Sequence, residues 1–321
     1  MEAKPTPVRT RRSRPPRRAR GAERVAEPRP APTAYLAVRA EEPPEHLFRR
    51  LLGAYLAGAD DFVIDEAPAL RPATRAVVAS FCRRTHFPEV VAEDGRTLRL
   101  RDTAPGPAGP PELRLAEMAR NVIALHREAI ASWRRVPFGD DAAWERRDDA
   151  IDREAWLLER TARRRPEGAT SDPAALDLWI VARSLERIAD HAVTLGEAGR
   201  RLAGIPQAAG PLATLAQFHR QAMDHLEGVL AARDEATANE LLDTGEALAA
   251  SGRALADRLL PAAQGGTLSP ATAAAVARIL ESIGRTVAYA QDIAQVVLDR
   301  TLGDRPTAGF GDRGRVAMPA T

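Results

Sequence analysis

The chain has 321 residues, of which 45% are apolar and only 4% aromatic; it is long enough for two domains or one domain with tails, and its Ala/Leu-rich core favours packed helices over a β-sandwich. A single cysteine, Cys82, excludes intrachain disulfides and a thiolate zinc cage. The net charge of +2 hides an asymmetry, because ten of the 46 Lys/Arg but only three of the 44 Asp/Glu lie in the first 30 residues. The basic character therefore belongs to the N-terminus, and the rest of the chain is mildly acidic, which is poor ground for nucleic-acid binding by the fold itself. With no run of 18 apolar residues and no signal-peptide core, the sequence reads as a cytoplasmic protein that meets a membrane only through a partner.

Residues 1–32 are rich in Arg and Pro. Proline blocks regular hydrogen-bond ladders and like charges repel, so a disordered basic tail is expected there. Either it is merely solvated or it makes a non-specific, salt-sensitive contact with nucleic acid or acidic lipid. Residues 33–103 read as a small β-α-β-α-β-β unit. A strand runs over Ala34–Ala40, and Leu47, Leu51, Leu52 and Tyr55 line a helix over Pro44–Ala59. Phe62–Asp65 is a short strand, and Val77, Val78 and Phe81 line a second helix over Ala73–Arg84. Asp94-Gly95 then joins two strands, Glu89–Ala92 and Thr97–Arg101, as a hairpin. This unit carries neither a phosphate-binding loop nor a catalytic grouping.

Four prolines in residues 104–111 mark a linker. From residue 112 the pattern is helical, with six helices expected at about 112–135, 140–165, 173–203, 208–232, 235–260 and 270–302. Ser171-Asp172-Pro173 and Ser269-Pro270 have the form of an N-cap followed by proline. In the third of these helices Leu178, Val181, Leu185, Ile188, Ala192 and Leu195 make a bundle seam, while Glu186, Asp190 and Glu197 share another face. The second has the same design: Trp144, Ile151, Ala155 and Leu158 form its seam, beside an acidic face of Glu145, Asp149, Asp152 and Glu159. Trp133, Trp144, Trp156 and Trp179 read as core. His46, His86, His126, His219 and His225 are scattered and read as surface or interhelix residues.

Two acidic stripes on neighbouring helices repel unless something compensates them. One solution is a solvated face paired with arginines such as Arg183 and Arg187; the other is a cation held between the stripes. Oxygen donors, with an imidazole from His191, suit Fe, Mn, Zn or Mg. No Glu-x-x-His pair of a di-iron bundle occurs, and no serine or cysteine nucleophile has partners at a recognisable spacing. A metal-dependent hydrolase would need an open coordination position and a substrate cleft, so the chain reads as a binding protein rather than an enzyme.

The six helices are two copies of a three-helix unit. The interval Asp140 to Asp149 recurs as Asp234 to Asp243, and Asp149 and Asp152 match Asp243 and Glu246. Residues 184–192 (SLERIADHA) align with residues 282–290 (SIGRTVAYA). Residues 181–192 (VARSLERIADHA) resemble the signature helix of the PhoU family of phosphate-uptake regulators. The run Asp148-Asp149-Ala150-Ile151-Asp152 resembles that family's second acidic motif. The resemblance extends over roughly residues 33–303, since the 33–103 unit is similar to the region preceding the repeats in archaeal-type relatives. Those relatives usually begin with an AbrB-type DNA-binding domain, whose strand pattern is not found in this sequence; the Arg/Pro-rich segment stands there instead.

The resemblance implies a mostly α protein: a six-helix bundle of two tandem repeats, 112–204 and 205–303. The bundle would follow the small α/β domain and the basic tail, with a second disordered tail at 304–321. It implies a negative regulator of phosphate uptake and signalling, an adaptor to a phosphate ABC transporter ATPase and/or a sensor histidine kinase, able to form a homodimer. Its metal ligands in the first repeat would be Asp149, Asp152, Glu186, Asp190 and His191, with Asp148 close by. The second repeat has Gly284, Ala288 and Tyr289 in place of Glu186, Asp190 and His191. Its Glu281 and Asp292 lie 11 residues apart, about 16 Å along a helix, too far to share an ion. One metal site at most is therefore expected.

Overall fold

The computed structural model describes residues 32–103, 109–133, 141–164, 173–264 and 268–303. The expected basic tail, most of the proline linker, Ser171-Asp172 and the C-terminal tail lie outside these residues.

The first unit follows the expected order: β1 (Thr33–Val38), α1 (Pro44–Leu56), β2 (Asp61–Glu66), α2 (Pro72–Arg84), β3 (Pro88–Glu93) and β4 (Thr97–Asp102). The sheet order is β1-β2-β4-β3, with β1 parallel to β2 and the other neighbours antiparallel. Asp94 makes the hairpin, its Oδ1 accepting from the backbone N–H of Arg96 at 2.8 Å and of Thr97 at 2.6 Å. Alternating residues of β1, β2 and β4 (Leu36, Val38, Phe62, Ile64, Leu98 and Leu100) pack under Leu47, Leu51 and Tyr55 of α1 and Val78 and Phe81 of α2. Phe81 meets Tyr55 and Phe62 edge-on, with ring centroids 6.1 and 5.6 Å apart.

Six helices follow: α3 (Pro111–Ser132), α4 (Asp141–Arg163), α5 (Pro173–Leu202), α6 (Ala209–Ala231), α7 (Glu235–Gln264) and α8 (Pro270–Gly303). Asp234 and Ser269 cap α7 and α8, accepting from the N–H of Thr237 at 2.9 Å and of Thr272 at 3.1 Å. Gly204, at φ 79°, takes the left-handed position that lets the chain leave α5. α7 runs to Gln264, beyond the stop expected at 260, because a proline in a last turn forfeits only one intrahelical bond. None of the described helices is long and apolar enough to cross a membrane.

The duplication is visible in the packing. α5 and α8 lie against each other at the centre; α3 and α4 flank α5, and α6 and α7 flank α8. Leu185, Ile188, Ala189, Ala192 and Leu195 are buried in α5, as are their counterparts Ile283, Thr286, Val287, Ala290 and Ile293 in α8. His126 and His219 are interhelix residues and are buried. His126 Nε2–H donates to the Ile188 carbonyl at 2.8 Å, so its Nδ1 accepts from His219 Nε2–H at 3.0 Å. Burial pushes both rings down, to about 4 and about 3, and both are neutral.

The tryptophans part company. Trp133 lies in the bundle, its indole N–H donating to the Leu195 carbonyl at 3.0 Å. Trp144 is half-buried between the two clusters of the bundle core, and Trp179 is half-buried beneath the Arg163 guanidinium. Trp156 leaves α4 in the other direction and completes the core of the α/β unit. The Trp133 ring is seated directly on Gly199, where any Cβ would overlap it. Gly199→Ala is therefore expected to lower stability by about 1–3 kcal/mol through forced repacking. Thermal unfolding followed by circular dichroism checks this, and an unchanged midpoint would mean that Trp133 is free to move aside.

Candidate metal centre

α4 and α5 lie side by side, and their acidic stripes meet. Asp152, Glu186 and Asp190 each bring one carboxylate oxygen within 4.8 Å of the others. Oxygens bound to one ion at 2.0–2.6 Å are at most about 4–5 Å apart, so the spacing suits a single cation. Among the described residues no other group of three such side chains forms. In the second repeat Asp243, Glu246 and Asp292 are exposed.

The electrostatics are those of a partly compensated site. Burial raises the Glu186 carboxyl to about 7, with Asp190 and Asp152 adding repulsion against the pull of Arg183. Burial likewise raises Asp148 to about 7, with Asp152, Asp190 and Asp149 contributing. Asp152 and Asp190 are raised by burial as well. Glu186 Oε1 faces Arg183 at 3.2 Å, whereas Oε2 is buried and finds no hydrogen-bond partner among the described residues. A buried carboxylate oxygen without a donor is costly, and a cation is the group it accommodates.

Of the two compensations foreseen from the sequence, arginine pairing is present in part. Arg183 pairs with Glu186 as anticipated, but Arg187 turns away and donates to the Tyr289 hydroxyl of α8 at 3.4 Å. The larger share comes from Arg84, at the end of α2. Its Nη2 donates to Asp152 Oδ2 at 2.8 Å, and its Nε lies 2.8 Å from Asp149 Oδ1 without hydrogen-bond alignment. Of the five expected ligands the structure thus unites Asp152, Glu186 and Asp190. Asp149 is engaged by Arg84, and His191 stacks on Tyr289 at 6.0 Å between ring centroids. The Glu145 side chain lies outside the described residues, and Glu159 pairs with Arg163 one turn on. Arg84 is the one contributor that the sequence reading did not single out: no periodicity links it to a helix about 65 residues away.

Residues 115–198, from α3 well into α5, match the PhoU domain family model. The matched span contains the whole carboxylate group. The crystal structure of PhoU from Pseudomonas aeruginosa is similar in fold, with a TM-score of 0.54 at 16% identity over 60% of this chain and 96% of that one. No curated protein matches the sequence.

The raised carboxyls set a pH dependence. In the folded protein Glu186 keeps its proton up to about 7, whereas in an unfolded chain it loses it near 4.3. Its contribution to stability is therefore present in acid and is lost as pH rises through that window. Glu186→Gln removes the charge, so in chelator-treated protein at pH 8 the midpoint is expected to rise by roughly 2–4 °C, the equivalent of about 1 kcal/mol. At pH 4 the gain should vanish. Thermal melts at the two pH values decide the matter, and an equal shift at both would assign the effect to something other than charge.

Proposed function

We propose that the protein is a regulator of phosphate homeostasis that works by binding partners in the cytoplasm, not by catalysis. The observation that carries this reading is the PhoU domain match over residues 115–198, which encloses the buried carboxylate group. The partners proposed are the ATPase of a phosphate ABC transporter and/or a sensor histidine kinase, and the expected effect is negative regulation of phosphate uptake and signalling.

Asp152, Glu186 and Asp190 fit a metal ion, and Asp148 is close enough to feel the charges of Asp152 and Asp190. Three carboxylates with one orphaned oxygen are a hard-donor set, suited to Fe, Mn, Zn or Mg. A bound ion would neutralise the carboxylates and tie α4 to α5. Purified protein should carry such a metal in elemental analysis, and Glu186→Ala combined with Asp190→Ala should lose it. Equal metal content in both proteins would remove the site from consideration.

The regulatory reading is checked by affinity capture from phosphate-replete and phosphate-starved cells with mass spectrometry. Recovery of a phosphate-transporter ATPase or a sensor kinase, varying with phosphate, is the expected outcome. Recovery of nucleic acid and its usual companions alone would assign the function to the basic tail instead.

A further inference from the structure

The α/β unit does not merely sit beside the carboxylate group; it sends a cation to it. The Arg84 guanidinium packs against the rings of Phe48 and Trp156, 5.4 and 5.3 Å from their centroids, and reaches Asp149 and Asp152 at 2.8 Å each. Its side chain retains a third of its free exposure, so it has room to move. Asp152 is the pivot, since it belongs both to the Arg84 ion pair and to the three carboxylates that converge on one point.

A guanidinium and a divalent ion cannot share one carboxylate at close range without repelling each other. We infer that Arg84 is an internal counter-ion of the acidic site, that a divalent metal competes with it for Asp152, and that metal binding thereby loosens the α2 end of the α/β unit from α4. The inference rests on the metal reading above. Reciprocity then requires that anything holding Arg84 on Asp152 weakens the metal, and that the metal weakens the Arg84 contact. The segment after Arg84 is built to register the change. Thr85 ends α2, Phe87 takes a positive φ of 80°, and between them His86 bonds Glu154 of α4 at 2.8 Å. This strap and Arg84 touch the same helix within two turns, whereas the remaining anchors, through Arg160 and Arg164, lie further along α4.

The test uses the full chain and Mn2+ alone as the probe. Calorimetric titration of wild type, Arg84→Gln and the charge-preserving Arg84→Lys gives the affinities, while hydrogen exchange of wild type with and without Mn2+ follows residues 80–90. The expected result is about 10-fold tighter Mn2+ binding by Arg84→Gln than by wild type, with Arg84→Lys near wild type, and faster exchange of residues 80–90 in wild type when Mn2+ is bound. Equal or weaker binding by Arg84→Gln, with wild type binding Mn2+, overturns the competition and leaves the metal site standing. If neither protein binds Mn2+, the metal reading fails and the competition fails with it. Should Arg84→Gln not fold, the wild-type exchange experiment decides alone, and unchanged or slower exchange at 80–90 overturns the inference.

Discussion

A buried guanidinium anchors the α/β unit to α4. The Arg160 side chain, 3% exposed, leaves α4 and enters the α/β unit. There it donates to the Tyr55 and Ala59 carbonyls, pairs with Asp60 and Asp102, and lies 4.3 Å from the Tyr55 ring centroid. Stripping a charge of water is costly, and this one is compensated only because a helix end, a loop aspartate and a strand end converge on it. That requirement fixes where α4 lies against the α/β unit. Trp156, one turn before Arg160, enters the same core, and Arg164, one turn after, reaches Asp60 and the Gly58 carbonyl.

α4 is consequently a helix with two masters. Ile151, Ala155 and Leu158 serve the bundle, whereas Trp156 and Arg160 serve the α/β unit. The carboxylates Asp148, Asp149 and Asp152 fall on the boundary between the two faces. They are bounded by α5 on one side and by the end of α2 on the other. This explains why a bundle surface that would otherwise be well hydrated has carboxyls raised by burial, and why the nearest cation to Asp152 comes from outside the bundle. The position of the α/β unit and the chemistry of the acidic group are thus one structural fact.

Much of this was legible in the sequence, for reasons that also mark its limit. Seams such as Leu185, Ile188, Ala192 and Leu195 announce themselves because helical period and burial coincide, and the Asp94-Gly95 turn is a local event. The two acidic stripes were readable for the same reason, as was the placement of Gly284 and Ala288 in the second repeat where the first has Glu186 and Asp190. What periodicity cannot convey is which neighbour claims a residue. Asp149 and Asp152 share a stripe, yet Asp152 joins the triad while Asp149 stays with Arg84. Trp156 was rightly read as core, but it belongs to another core. Arg84, Arg160 and the His126–His219 pair act across separations of about 60 to 105 residues, and no spacing rule reaches that far.

The two repeats show what duplication retains and what it discards. Positions that fill the centre stay apolar or small in both copies, because α5 and α8 pack on each other and a change in one is felt by the other. Positions on the outer faces are free of that constraint, and there the copies have diverged at the residues that matter to the site. Where repeat one has Asp190 and His191, repeat two has Ala288 and Tyr289. Tyr289 does not idle: it stacks on His191 and receives the Arg187 hydrogen bond, engaging two side chains of α5. Through Tyr289 the second repeat holds two side chains that adjoin the acidic residues of the first in sequence. With Arg187 drawn to α8, Arg183 is left as the one α5 arginine paired with Glu186, and the acidic group faces the α/β unit with its negative charge only partly offset.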